Sequence, residues 1–370
     1  MNRSRFLALA VAAVIVLCGA LYLGSRQNSA PPSVQGTAFL PKLGTELGSV
    51  TELDIRKGSP APGVTLQRSG EQWTIAQRGG YPADDSKVRR FLLSLGDAKI
   101  VEAKTADPAN FPLVGLDDPA KPGASGTEIT LVAADGKHIV IIGKPIGEGN
   151  FVRRGGENQS YSVQPGIFAD AEPRSWIDSK LIDVSTSTIQ SVELKPSSGA
   201  GYVLHRIKGG DGFALEGKPP AGRKLLDANA LAPSPSALSG LDADDVSAAS
   251  SLDFSKPSQA IFTLSDGGVV TITGAPAGDK RWIEVQATKS PALAAKAQNR
   301  AFEIASYRYD AIFRPLDQLL VAKEEPKASA KGAGGAAAKG AARQPAAGKS
   351  AKGTAGVRPP APQSSAAPPP

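Results

Sequence analysis

Residues 128–143 read EITLVAADGKHIVIIG, two alternating apolar runs on either side of Asp135-Gly136, and residues 260–274 repeat the plan as AIFTLSDGGVVTITG around Asp266-Gly267. Alternation with a period of two gives a strand one buried face. An Asp-Gly pair between two such runs marks a hairpin, because both residues tolerate positive φ. The two hairpins lie about 131 positions apart, and in each a glycine, Gly143 or Gly274, follows seven residues after the turn glycine.

The parallel extends outward. Upstream of each hairpin stands a predicted three-strand meander, over 50–55, 64–68 and 72–76 in the first copy and over 189–194, 202–207 and 212–216 in the second. Downstream come strands over 150–153 and 160–163, then over 281–285 and 301–304. A helix is expected after the first meander: Asp84 can cap it, Val88, Phe91, Leu92 and Leu95 recur at helical spacing, and Gly96 closes it. The matching stretch 225–241 carries Pro233 and Pro235. A proline inside a helix costs about 3 kcal/mol, so that helix should be short or broken. Each copy is expected to finish in a short aromatic helix, over 174–183 and 307–320. The expected fold is α+β: two tandem duplicated modules of mainly antiparallel sheet with short helices, at 47–184 and 185–322.

The ends read differently. Residues 6–23, FLALAVAAVIVLCGALYL, hold no charge and follow Arg3 and Arg5. About 20 apolar residues cross a hydrocarbon core, so 1–26 is expected to be a signal anchor with its amino terminus in the cytoplasm and the rest exported into the periplasm or beyond. Cleavage as a signal peptide is the weaker reading, since no good small-x-small site follows. Residues 27–46, rich in Ser, Pro and Gly, read as a spacer. Residues 323–370 are almost wholly Ala, Lys, Gly and Pro, a composition that buries too little apolar area to offset its ordering entropy, and they are expected to form a disordered basic tail.

Charge follows the same division. The chain of 370 residues carries +7 overall, of which the first 26 residues contribute +3 and the tail +6, leaving 27–322 at −2. The folded part is not a basic nucleic-acid binder. The tail could hold anionic lipid or wall polymer by screened electrostatics. With one cysteine and two histidines, disulfide frameworks and Cys/His metal sites are excluded.

No catalytic, cofactor or metal residue is expected. His138 and His205 sit in strand patterns, and neither a Gly-x-Ser-x-Gly elbow nor a Ser-x-x-Lys pair occurs. The acidic neighbours Asp84 with Asp85, Asp117 with Asp118, and Asp244 with Asp245 cannot face each other across a cleft from adjacent positions, and they suit caps and turns. Trp73, Trp176 and Trp282 fall in apolar patterns that suit a core more than a sugar platform.

Several of these residues carry a family likeness. Trp73, then Tyr81-Pro82-Ala83-Asp84, then Gly115-Leu116-Asp117-Asp118-Pro119, then Asp135-Gly136, Gly143 and Phe151-Val152-Arg153, come in an order that resembles the bacterial domain-of-unknown-function family DUF4340 over about 48–320. The resemblance implies a membrane-anchored, exported protein attached to the inner membrane through 6–23. It also implies an accessory role in an ABC-type transport or motility-like envelope assembly and brings no catalytic residue; with the residues above, a non-enzymatic interaction protein with an unknown envelope partner is expected. The second copy lacks the Tyr-Pro-Ala-Asp element. A wall-associated carbohydrate-binding protein, or a hydrolase using Asp117 or Asp118, is the alternative reading.

Overall fold

The structure is a computed structural model that describes residues 34–322 except Ala228. The residues form an α+β chain dominated by antiparallel sheet with a few short helices. Strands β1 (Glu52–Arg56), β2 (Val64–Ser69), β3 (Gln72–Ile75), β4 (Tyr81–Pro82), β5 (Lys99–Ala103), β6 (Thr127–Ala133), β7 (Gly136–Ile146), β8 (Gly149–Arg154) and β9 (Ser160–Gln164) make a nine-stranded sheet in the order β4-β3-β2-β1-β6-β7-β8-β9-β5. After β10 (Lys180–Ile182), a second sheet is built from β11 (Ile189–Lys195), β12 (Tyr202–Arg206) and β13 (Phe213–Leu215). Past β14 (Arg223–Leu225) and β15 (Leu241–Asp242), it adds β16 (Asp245–Ala248), β17 (Ser258–Leu264), β18 (Val269–Ala277), β19 (Lys280–Ala287) and β20 (Arg300–Ile304). Its order, β13-β12-β11-β17-β18-β19-β20-β16, matches the first sheet strand for strand apart from β4.

The helix Asp85–Asp97 crosses from β4 to β5, which lie at opposite edges of the first sheet. Thirteen helical residues span about 20 Å, whereas nine flat strands would spread over about 38 Å, so the sheet is not flat. The Asp84 side chain accepts the Lys87 N–H at 3.0 Å to start the helix, and Val88, Phe91, Leu92 and Leu95 are buried. One hydrophobic cluster then runs through both sheets. Trp73, Trp176 and Trp282 are all buried.

Several expectations need correction. The stretch 34–46, read as part of a spacer, is packed: Phe39, Leu40 and Leu43 are buried, and Gly36 and Phe39 donate backbone N–H groups to Ile100 and Ala98 beside β5. Three apolar side chains with no repeating period gave no local sign of that burial. The helix expected over 174–183 is a 3₁₀ turn, Pro173–Trp176, followed by β10. Strand β10 pairs with β15, so the boundary drawn at 184 cuts across a ladder. The aromatic helix expected over 307–320 is Ser306–Phe313, followed by a 3₁₀ turn Leu316–Leu319 and β21 (Leu320–Ala322), which pairs with β14. Among the described residues of 225–241, only the turn Pro233–Ser236 is helical, in keeping with its prolines.

Both Asp-Gly pairs sit at hairpins but not as matching turns. Ala133 pairs with Gly136, which places the first loop at Ala134-Asp135, and Asp135 is not at positive φ. In the second, Gly267 is left-handed and Asp266 accepts the Gly268 N–H at 2.7 Å. The expected membrane-crossing helix over 6–23 and the tail over 323–370 lie outside the described residues. Among the described residues, no helix is long and apolar enough to cross a membrane.

Candidate functional site

The motif residues gather at two places. The first is the junction between the sheets. Tyr81 is fully buried, its hydroxyl donates to the Asp178 carbonyl at 3.1 Å, and its ring meets Phe302 of β20 edge to face, centroids 5.9 Å apart. Lys296 Nζ and Arg300 Cζ stand 5.6 and 5.4 Å from the same ring centroid. A cation over an aromatic face is attracted by its quadrupole. Burial, with a smaller push from Asp178, holds the Tyr81 phenol well above the ordinary tyrosine range. Pro82 accepts the Asp178 N–H at 3.0 Å, and Ala83 donates to the Trp73 carbonyl at 2.8 Å. Lys296 also pairs with the Asp178 carboxylate at 2.7 Å, and Arg78 forms a two-bonded pair with Asp245 on β16. Arg78, Asp178, Lys296 and Arg300 were invisible as partners in the sequence, because each acts across long chain separations with no local pattern.

The second place is a cavity of about 680 Å³ beside β7 and β8. Its wall is the turn after the short helix Phe111–Val114, which ends at Gly115 with φ near 70°. Leu116 is fully buried against Phe111 and Ile141. A Cβ added at Gly143 would stand 2.4 Å from the Val114 carbonyl oxygen, so only glycine lets this turn lie on β7. Asp117 accepts the Ser125 N–H at 3.2 Å, the Ser125 hydroxyl at 3.1 Å and the Gly126 N–H at 3.2 Å. Asp118 accepts the Ala120 N–H at 3.1 Å, and the Pro119 carbonyl accepts the Ser59 N–H at 3.2 Å. Arg153, from β8, enters the same cavity with its guanidinium 4.7 Å from the Phe111 ring centroid. Burial lowers its proton affinity while Asp118 and Glu128 raise it. Phe111, Leu116, Asp117, Asp118, Pro119 and Arg153 thus meet around one hollow.

The remaining candidates are engaged elsewhere. Asp85 accepts the Trp73 N–H at 3.1 Å, so with Asp84 it fixes the start of the helix. His138 pairs with Asp135 at its hairpin and His205 with Glu216 across β12, each at 2.8 Å. Burial, with Glu303 and Asp242, raises Asp244 above the usual carboxylate range. Among the described residues, no cluster of His, Cys, Asp and Glu is arranged to hold a metal ion.

A family model described as Domain of unknown function (DUF4340) matches residues 73–260, just over half of the chain, from Trp73 in β3 to Ala260 in β17. The match therefore begins at a motif residue and runs across the junction into the second sheet. No curated protein and no solved structure matches the chain.

Proposed function

The chain belongs to the DUF4340 family, and on that premise we propose that it is a membrane-tethered, exported interaction protein without enzymatic activity, accessory to an ABC-type transport or motility-like envelope assembly. The observation that supports this reading is how its polar motif residues are used. Asp84, Asp117 and Asp118 cap or close turns, Tyr81 and Pro82 hold the Asp178 connection, and the Tyr81 ring meets Phe302 of the second sheet. Residues spent in this way build a rigid body that presents surfaces to a partner. Residues 6–23 supply the tether, and the shared strand order is the trace of an internal duplication. Purification of the full chain from its own membranes in mild detergent tests the proposal: a stable envelope partner should copurify, and recovery of this chain alone would sink it. A reporter fused after residue 320 should be active only outside the cytoplasm.

Wall carbohydrate is a second reading, favoured by one observation. Phe168 is 66 % exposed beside a cavity of about 870 Å³ that Lys57, Arg90 and Trp176 also line. Its ring stands over Gly166, where an added Cβ would come within 2.7 Å. An exposed, supported ring is a surface on which sugars stack. Sedimentation with purified sacculi should then fall at least fivefold in Phe168→Ala, and absence of binding by the parent chain would dispose of this reading.

A further inference from the structure

Three half-buried arginines show what this fold does with a guanidinium. Arg78 places Nε and Nη2 on the Asp245 carboxylate at 2.6 and 2.9 Å. Arg154 places the same two nitrogens on the Phe39 carbonyl at 3.0 and 2.8 Å. Arg206 gives Nε to the Ile189 carbonyl at 2.7 Å and Nη2 to that of Thr186. Arg153 differs. Among the described residues its only acceptor is the Glu157 carbonyl, 3.0 Å from Nη1, and its Nε is closed off from water with no partner at all. A buried donor without an acceptor is costly, and a guanidinium offers five N–H groups. The Phe111 ring nevertheless holds this one in place.

The walls around Arg153 define what could complete it. Asp118 uses one carboxylate oxygen on the Ala120 N–H and makes no ion pair with Arg153. Glu128 is already paired with Arg56. A simple anion entering the cavity would meet Asp117, Asp118 and Glu128, and a simple cation would meet Arg153 and Lys121. A molecule carrying both charges meets neither objection. Ile139 of β7, half-buried on the same wall, adds an apolar surface.

We infer that this cavity binds a small zwitterion with an apolar side chain, of the α-amino-acid or short-peptide class. Its carboxylate takes the Nη donors of Arg153 that have no acceptor among the described residues, its ammonium meets Asp118, and its side chain lies against Ile139. Charge-assisted hydrogen bonds at both ends supply orientation, and the apolar wall selects the side chain.

Calorimetric titration of the full chain in detergent with three probes tests this: leucine, N-acetylleucine, which keeps only the carboxylate, and leucinamide, which keeps only the ammonium. Leucine should bind at least tenfold more tightly than either blocked form. Arg153→Gln should weaken leucine at least tenfold while leaving leucinamide unchanged, and Asp118→Asn should weaken leucine while leaving N-acetylleucine unchanged. Asp118 is exposed, so that variant keeps the test open even if Arg153→Gln fails to fold. No binding of leucine, or equal binding of leucine and a blocked form, would overturn the inference. The titration needs no envelope partner, so its failure leaves the accessory role standing, and loss of that role leaves the titration valid.

Discussion

Arg78 and Asp245, 167 positions apart, meet through two hydrogen bonds of 2.6 and 2.9 Å, with side chains only 21 % and 11 % exposed. This pair ties the turn after β3 to the edge strand of the other sheet. Removing one partner of a shielded ion pair leaves the other charge poorly solvated. Asp245→Ala should therefore destabilise the chain by about 2–3 kcal/mol, scaled down from the cost at fully buried pairs. Urea denaturation checks the value, and a change below about 0.5 kcal/mol would mean that the pair does not hold the sheets together.

Tyr81 sits at the centre of the same junction. Tyr81→Ala empties a fully buried ring site and should cost about 3–5 kcal/mol, whereas Tyr81→Phe removes only the bond to the Asp178 carbonyl and should cost about 1 kcal/mol. Thermal melts of the two variants beside the parent would reveal any other order.

Buried tyrosines, Tyr81 of the junction among them, also set an alkaline limit. Burial is the first cause holding the phenols of Tyr81, Tyr202 and Tyr309 above their ordinary value of 10.0. A raised folded-state pKa means that the folded chain keeps a proton the unfolded chain has lost. The associated stability is fully present below pH 10 and declines as pH rises from there to each group's own folded-state value, by at most about 1.4 kcal/mol per pH unit for each group. Tyr81→Phe should make the decline shallower between pH 10 and 12 in denaturant titrations, and an unchanged slope would refute its part in it.

Glycines on the two equivalent hairpins should differ in their tolerance. An added Cβ at Gly143 meets the Val114 backbone oxygen at 2.4 Å, whereas at Gly274 it meets the Phe313 ring at 2.3 Å. Backbone cannot swing aside and a ring can. Gly143→Ala should cost about 3 kcal/mol and Gly274→Ala about 1–2 kcal/mol, a difference that melting temperatures would show.

The segment before the first strand gives the last prediction. Phe39 is fully buried, and its carbonyl receives two bonds from Arg154. Phe39→Ala should cost about 3–5 kcal/mol, and a chain begun at residue 47 should unfold at a markedly lower urea midpoint. An unchanged midpoint would contradict the packing of 34–46.

Strands were legible because their signal is local. Alternation in TEITLVA and the helical spacing of Val88, Phe91, Leu92 and Leu95 read correctly, as did the Asp84 cap. Residues 174–183 were expected as a helix, but a buried turn leading into a strand, with Trp176, Ile177 and Leu181 inside, leaves much the same apolar spacing. The motif residues could be named, but not what they touch. Tyr81 reaches Phe302, and Arg153 comes to line one cavity with Asp118, through placements that no window of sequence contains.

In both halves an edge strand is synthesised long before the neighbour that receives it. Strand β5 waits for β9, which ends about 60 residues later, and β16 waits for β20 across a similar interval. A chain emerging from its amino terminus would therefore hold an unsatisfied ladder edge until each half is almost complete. Closure of β5 on β9, and of β16 on β20, comes late in folding, and slow or interrupted synthesis near those partners leaves the chain most prone to clump with its copies.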